Sequence, residues 1–256
     1  MKDISVITST IGRKDLRQCI LSVQSQTIPA EHFVFVNGRE FEKPARAILA
    51  EFPKVHAFYL PFGTGNYGVG CSMADVFAAA PYLTTSKWIA FLDDDNFYDP
   101  NHIETLMTMS ERHSLDWAYS LRRLVDANGS NLCDDNWDSL GHFPCAFNDE
   151  EHIVDNSCYF VKRELAVKCG RAWTALPYVA DRCFFMALDH LNLKAGCTGL
   201  SSVNYRVGNG VKMDPLDPRA EALTRAMLKK FHGNFPWRRE TIFPPTANFR
   251  NDRDNS

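Results

Sequence analysis

The sequence lacks several features that would assign it to a whole class of proteins. No apolar run approaches the roughly 20 residues needed to span a bilayer, and the opening MKDISVITST has neither a signal-peptide nor a transit-peptide pattern. Its 28 Lys and Arg against 31 Asp and Glu leave a formal net charge of −3, so there is no basic field for nucleic acid. We therefore expect no nucleic-acid partner and a cytoplasmic protein that is soluble or, at most, peripheral at the inner face of a membrane.

Cysteine patterns typical of zinc sites and disulfide frameworks are also missing. The eight cysteines are scattered through 256 residues, with no CxxC pair and no His/Cys cluster at metal-ligand spacing. We expect reduced thiols that are buried as small apolar side chains.

Alternating strand and helix patterns fill the first hundred residues. Short apolar, β-branched runs predict strands at 4–8, 32–36, 55–61 and 87–92, and segments with apolar residues at helical spacing separate them. Such alternation predicts an α/β fold, Rossmann-like, with a mostly parallel central sheet covered by helices on both faces.

The second half is less regular, and we interpret it as a smaller mixed region of the same domain. Predicted helices cover 100–113, 180–196 and 218–231, predicted strands cover 116–126 and 198–210, a strand-to-helix unit covers 155–170, and 126–150 is a polar loop. We expect one domain over 1–213, with halves at 1–98 and 99–213, and a tail over 214–256 that packs on it. Oligomeric state is left open.

Three consecutive aspartates, Asp93, Asp94 and Asp95, directly follow the predicted strand KWIAFL. Ligands bind at the carboxyl ends of strands in such sheets. The cluster could be solvated surface, a helix cap or a site for Mg²⁺ or Mn²⁺, which prefer oxygen ligands. Capping suits Asp99 better, because a cap lies directly before the first helical turn.

Two phosphoryl-transfer alternatives fit the aspartates less well. Phosphatases with Asp-x-Asp after a strand place that strand at the start of the domain. They also need a later metal-binding motif rich in glycine and aspartate, and we find none in this sequence. Nucleotidyltransferases need a Gly-rich, basic N-terminal loop, whereas TSTIGRKD contains one glycine.

Four segments in order resemble the glycosyltransferase 2 family. They are ISVITSTIGRKDLRQCILSVQSQTIPAEHFVFVNG, KWIAFLDDDNFYDPNHIETL, DNSCYFVKREL and VADRCFF, within about residues 3–212. The resemblance implies a GT-A fold and a hexosyltransferase-type enzyme. It would move a sugar, with inversion, from a nucleotide-sugar donor, a UDP-sugar by preference, to a hydroxyl of a glycan or lipid-linked sugar acceptor.

The resemblance also assigns roles to particular residues. Asp95 would ligate a divalent cation, Mn²⁺ or Mg²⁺, and Asp93 would complete that site or contact the ribose. Asp94 belongs to the donor-binding motif, although side-chain alternation favours a structural role for it. Asp181 would be the general base, with capping of its helix as the alternative. The further donor-binding candidates are Thr8, Thr10, Arg13, Asn37, Asn66, Arg206 and Lys212.

The chain departs from the family pattern at several positions. Asn37 stands where many members have an aspartate that reads the nucleobase, Ala180 replaces the glutamate before Asp181, and a frequent C-terminal histidine is missing. These departures motivate a second hypothesis, a non-catalytic nucleotide-sugar or glycan-binding module with the same fold.

Aromatic residues give two weaker expectations. Trp137, His142 and Trp173 are candidate platforms for an acceptor sugar, or else core residues. The tail segment FHGNFPWRRETIFPP either contacts a membrane interface or packs on the domain.

Overall fold

The computed structural model describes residues 3–64, 73–146, 152–176, 179–208 and 218–245. The strands within them are β1 Ile4–Thr10, β2 Glu31–Asn37, β3 His56–Leu60, β4 Trp88–Phe91, β5 Phe97–Tyr98, β6 Trp117–Val125, β7 Asn131–Asp134, β8 Tyr159–Lys162, β9 Ala195–Arg206 and β10 Thr241–Phe243. The α-helices are α1 Leu16–Gln24, α2 Glu42–Leu49, α3 Ala74–Ala79, α4 His102–His113, α5 Arg163–Cys169, α6 Ala180–His190 and α7 Pro218–Lys230.

One 10-stranded sheet organises these elements, in the order β10-β9-β6-β8-β4-β1-β2-β3, with β5 on β9 and β7 on β6. β1 is parallel to β2 and β4, β2 is parallel to β3, and β6 is parallel to β9. β8 runs antiparallel to both of its neighbours, and β10 runs antiparallel to β9. The predicted α/β fold with a mostly parallel sheet is therefore confirmed.

The central strands are apolar throughout because helices cover the sheet on both faces. All seven residues of β1 are buried, and so are all four of β4. Helix α1 turns Leu16, Cys19 and Ile20 onto the sheet, as its 3.6-residue spacing predicts. The carboxyl ends of β1 and β4 therefore reach the same edge of a rigid, buried layer.

Aromatic stacking fills the core beneath this edge. Trp88 stacks on Phe160 with ring centroids 4.7 Å apart, and Trp173 stacks on Phe184 at 4.3 Å. Both tryptophans are buried, so the sheet and helices that carry the polar edge are fixed by large apolar contacts.

The tail packs on the sheet and adds a strand that the sequence analysis did not predict. β10 pairs with β9, and Trp237 is completely buried, with Nε1 donating a 3.0 Å hydrogen bond to Asn136. Phe231 and Phe235 lie against Trp237. These rings are used in packing, which favours the packing alternative over membrane contact.

Two further observations concern the described residues only. The seven cysteines among them are free thiols, and Cys71 lies outside the described ranges. No helix in these ranges combines the length and the apolar character that a membrane-crossing segment requires.

Candidate active site

An open cavity of about 460 Å³ lies where β1, β4 and β9 end. Among the described residues, six aspartates line it, together with two arginines, Arg13 and Arg206. The aspartates are Asp15, Asp93, Asp94, Asp95, Asp155 and Asp181. Carboxylates therefore outnumber basic side chains three to one in the described part of the wall, which is acidic.

The three consecutive aspartates have three different environments. Asp93 Oδ1 accepts a 2.7 Å hydrogen bond from the Asn156 amide. Asp94 Oδ2 accepts a 2.6 Å hydrogen bond from the Thr10 hydroxyl. Asp95 forms an ion pair with Arg13, whose side chain is 47% exposed. Asp94 is thus held by β1, as the structural interpretation expects, while also lining the cavity.

Burial and mutual repulsion disfavour the charged forms of these carboxylates. The pKa of Asp93 is raised well above its ordinary value, by burial first and then by the charges of Asp155, Asp95 and Asp181. Burial raises the pKa of Asp94 to about 6 and also raises the pKa of Asp95, against the effect of Arg13. A cation in the cavity would oppose all three shifts.

Asp181 enters the same cavity from the first turn of α6. The cap residue of that helix is Val179, so Asp181 does not occupy the capping position. Its Oδ1 is buried and has no hydrogen-bond partner among the described residues. Burial, followed by the charge of Asp155, raises the pKa of Asp181 to about 8. A carboxyl with this pKa can accept a proton once it is ionised.

Asp155, which was not predicted from the sequence, lines the cavity together with Asp93 and Asp181. Its Oδ1 accepts a 2.9 Å hydrogen bond from the Ser157 backbone N–H, and its Oδ2 accepts a 2.7 Å hydrogen bond from Arg122. The resembling segment DNSCYF begins at Asp155, and an Asx-type start to a turn is readable there. Nothing in the sequence around Arg122 indicated that it would pair with Asp155.

Arg122 is a buried cation surrounded by carboxylates. Its guanidinium pairs with Asp135 at 2.8 Å, with Asp155 at 2.7 Å and with Asp138 at 3.4 Å. The charges of these partners outweigh burial and raise the pKa of Arg122 well above its ordinary value. The network ties β6 to the polar loop that the sequence left without structure.

The residues predicted for the donor-binding wall divide between the cavity and the interior. Thr10 and Arg13 line the cavity. Thr8 does not, because it is fully buried within the sheet and its hydroxyl lies 2.9 Å from His32 Nε2. Thr8 therefore connects β1 to β2 through His32, and Ser9 is the first residue of β1 that lines the cavity.

Asn37 is tied to the neighbouring chain segment. Its Oδ1 accepts hydrogen bonds from the Thr64 backbone N–H at 2.7 Å and from the Thr64 hydroxyl at 3.0 Å. Its Nδ2 donates to the Thr64 carbonyl at 3.3 Å. Both ends of the amide therefore contact one residue, and a carboxylate here would face that carbonyl unfavourably.

Arg206 reaches the cavity but is held by its surroundings. Its Nε donates a 3.0 Å hydrogen bond to the Asp95 carbonyl, and its Nη2 donates one of 2.6 Å to Gln18. The side chain thereby joins the end of β9 to the aspartate loop. Asn66 and Lys212 lie outside the described residues.

The three aromatic platform candidates are used elsewhere. Trp173 is fully buried. Trp137 is buried against α7, and its Nε1 donates a 2.9 Å hydrogen bond to the Thr224 hydroxyl. His142 stacks on Phe243 at 4.1 Å and pairs with Asp189 at 3.1 Å. Neither tryptophan has a face available to a sugar ring.

The cavity fits a hard divalent cation that is shared with an anionic ligand. No group of three His, Cys, Asp or Glu side chains in the described ranges could hold a metal ion unaided. Mg²⁺-type sites, however, commonly use one or two carboxylates and complete the shell with substrate phosphates and water. Asp93 and Asp95 are oxygen donors in an acidic cavity, so this chemistry suits them.

A family model decides where the chain belongs. The model described as Glycosyl transferase family 2 matches residues 5–161, more than half of the chain. The chain belongs to glycosyl transferase family 2. The sequence resemblance is confirmed, and the aspartate triplet lies inside the matched region.

A curated relative with detectable sequence similarity adds little on function. It is an uncharacterized protein of Haemophilus influenzae, 37% identical over 65 residues that cover 25% of this chain. The match spans only 42% of that relative.

Solved glycosyltransferases share the fold at low sequence identity. S. aureus TarS 1-349 in complex with UDP-GlcNAc matches with a TM-score of 0.59 and 15% identity, over 89% of this chain and 67% of that one. The mannosyltransferase PcManGT from Pyrobaculum calidifontis, in complex with GDP-Man and Mn²⁺, matches with a TM-score of 0.51 and 14% identity. The match covers 91% of this chain and 65% of that one. The fold of this family 2 glycosyltransferase is GT-A, as expected.

Proposed function

We propose that this chain is an inverting, metal-dependent glycosyltransferase of the hexosyltransferase type. The donor is a nucleoside-diphosphate sugar, with a UDP-sugar as the first candidate, and the acceptor is a hydroxyl of a glycan or a lipid-linked sugar. A role in making a cell-surface polysaccharide or a glycolipid, in the cytoplasm, is consistent with that acceptor. We propose 1–213 as the catalytic domain and 214–256 as a tail packed on it.

One observation carries the proposal, namely the six aspartates and two arginines among the described residues that line one cavity in a family 2 chain. A diphosphate is anionic, so an acidic cavity repels it unless a cation is bound between them. Asp93 and Asp95 are the residues that would hold that cation. When bound, it neutralises charge on the leaving diphosphate as a Lewis acid. The Mn²⁺ reported with GDP-Man in PcManGT supports this choice.

Arg13 and Thr10 complete the donor side. Arg13 pairs with Asp95 and is half exposed, so it can turn toward a phosphate without leaving the cavity. The Thr10–Asp94 hydrogen bond keeps the end of β1 beside the aspartate loop. These contacts orient the donor, and orientation is a large part of the rate in a single displacement.

Asp181 takes the proton in the reaction. An acceptor hydroxyl attacks the anomeric carbon on the side opposite the diphosphate, the bond to the diphosphate breaks, and the hydroxyl proton moves to the carboxylate of Asp181. Because Asp181 is buried next to Asp155, its carboxylate is more basic than a solvated one. That basicity suits a residue that must accept a proton from an alcohol.

Thermal unfolding with a panel of nucleotide sugars tests the donor assignment. Each sugar is measured with and without Mn²⁺, beside the free nucleotide and Mn²⁺ alone, since ligands of the native state raise Tm. We expect one donor to raise Tm by several degrees only when Mn²⁺ is present. Equal Tm values across the panel would contradict the proposal.

The binding-module hypothesis predicts a different combination of results. The tie between Asn37 and Thr64 and the alanine at 180 are the observations that favour it. A module would bind the same donor with Mn²⁺ in calorimetry yet release no nucleotide on a broad acceptor panel. An enzyme releases nucleotide catalytically under the same conditions.

A further inference from the structure

Tyr205, near the end of β9, lines the cavity with a hydroxyl that the fold itself does not use. No described residue forms a hydrogen bond with that hydroxyl, although the neighbouring polar groups Asn204 and Arg206 are both bonded within the protein. The Tyr205 hydroxyl is not among the buried polar atoms that lack a partner in the described residues, so it is open to the cavity and can exchange water for a ligand. The hydroxyl is therefore free to bind a polar ligand.

The ring of Tyr205 is held firmly in place. The Arg122 guanidinium lies 4.4 Å from the ring centroid, and Arg122 is itself fixed by the buried ion pairs with Asp135 and Asp155. Tyr205 also packs against the small apolar cluster formed by Leu124, Trp137 and Ala220. A ring supported on these sides can present its hydroxyl in one orientation.

The position of Tyr205 relative to the carboxylates locates the ligand. Tyr205 lines the same cavity as Asp93, Asp155 and Asp181, and the Arg122 guanidinium that lies over its ring pairs with Asp155 at 2.7 Å. The phenol therefore shares one cavity with the donor-side carboxylate Asp93 and the proton acceptor Asp181. In a single displacement the sugar being transferred occupies the space between those two groups.

We propose that Tyr205 binds the sugar of the donor through a hydrogen bond between its hydroxyl and a hydroxyl of the transferred ring. This inference rests on the proposed function. The contact is made to the sugar and not to the nucleotide, so it contributes to the choice of donor sugar.

Calorimetry on the full chain with Tyr205→Phe tests the contact, because this change removes one oxygen and keeps the ring on Arg122. The probes are UDP-GlcNAc and UDP, each with Mn²⁺, or GDP-mannose and GDP if thermal unfolding favours guanosine. We expect the Kd of the nucleotide sugar to rise five- to tenfold and the Kd of the free nucleotide to stay within twofold.

Tyr59→Phe is the matched control. Tyr59 is also half-buried beneath an arginine, with the Arg46 guanidinium 3.8 Å from its ring centroid, but it does not line the cavity. Its replacement should leave both Kd values unchanged.

The outcomes separate the two proposals. If the wild-type chain binds no nucleotide sugar, the proposed function fails. If the wild type binds a nucleotide sugar and Tyr205→Phe binds it equally well, only the role of Tyr205 is overturned. Equal weakening of sugar and free nucleotide would also overturn it, because the contact would then not be to the sugar.

Discussion

The hydroxyl of Thr10, the last residue of β1, donates a 2.6 Å hydrogen bond to Oδ2 of Asp94, in the loop after β4. The Ile11 N–H donates to the same oxygen at 3.3 Å. Both Thr10 and Asp94 are buried. The pair joins the carboxyl ends of two parallel strands, and it sets the position from which Asp93 and Asp95 face the cavity.

Replacing Thr10 with valine should reduce stability while leaving the strand intact, since valine has nearly the same shape. The buried Asp94 oxygen loses its closest donor, and we expect a loss of about 1.5–3 kcal/mol in the free energy of unfolding. Urea denaturation measures it. The control is Thr105→Val on α4, where the one hydrogen bond of the hydroxyl within the described residues goes to the His102 carbonyl, one turn back. Equal losses in the two variants would show that the Thr10–Asp94 bond has no special weight.

The rate of transfer should depend on the ionisation of Asp181. A general base must be charged to accept a proton, so kcat/KM should rise with pH toward a plateau above the pKa of Asp181, about 8 in the free protein. A cation bound at Asp93 and Asp95 would lower the pKa of Asp181 and so the pH at which the rate reaches half of its plateau. Rates measured from pH 5 to 9.5 at saturating Mn²⁺ check this, and a rate that falls with rising pH across the range would contradict it.

Asp181→Asn should make the protein more stable at neutral pH. The unfolded chain releases the Asp181 proton near pH 3.9, while the folded chain holds it to about pH 8. Between these values the folded state binds more protons, so the native aspartate lowers stability progressively as pH rises from 4 to 8. We expect a gain of at least about 1 kcal/mol at pH 7 and none at pH 3.5. A gain that is independent of pH would refute the argument.

Arg122→Met should be among the most destabilising single changes in the chain. Removing the guanidinium leaves Asp135 and Asp155 buried without their cation, which typically costs about 3–5 kcal/mol. The adjacent Arg123 is the control, because its side chain is 27% exposed and its ion pairs are longer, 3.3 Å or more. Arg123→Met should cost about 1 kcal/mol or less. Similar losses for both would remove the case for a buried network.

The sequence predicted the elements whose apolar residues recur at regular spacing. Apolar runs at 4–8 and 87–92 became β1 and β4, and the helical spacing of Leu16, Cys19 and Ile20 became α1, because burial on a covered sheet imposes those periods directly. The tail strand β10 was missed, since a three-residue edge strand depends on β9 and carries no period of its own.

The candidate site was predictable where one short segment carries its residues. Asp93 to Asp95 were readable at a strand end, and Asp181 came from the family resemblance. Asp155 and Arg122 act through contacts that span 33 residues of sequence, which no local pattern records. Thr8 and Asn37 belong to strands that end at the cavity side of the sheet. The polar group of Thr8, however, is hydrogen-bonded to His32, and that of Asn37 is hydrogen-bonded to Thr64. Only the packed structure separates such residues from those that face the cavity.

The decisive measurement for Asp181 is nucleotide release from the preferred donor, with Mn²⁺ and an acceptor panel, in the wild type and in Asp181→Asn. Calorimetry on the same samples reports donor binding, and Glu111→Gln on α4 controls for loss of a carboxylate elsewhere. We expect turnover by the wild type and by Glu111→Gln, and at least a hundredfold loss of turnover in Asp181→Asn with donor affinity within about threefold of the wild type. Undiminished turnover in Asp181→Asn, or donor binding without turnover in the wild type, would contradict it.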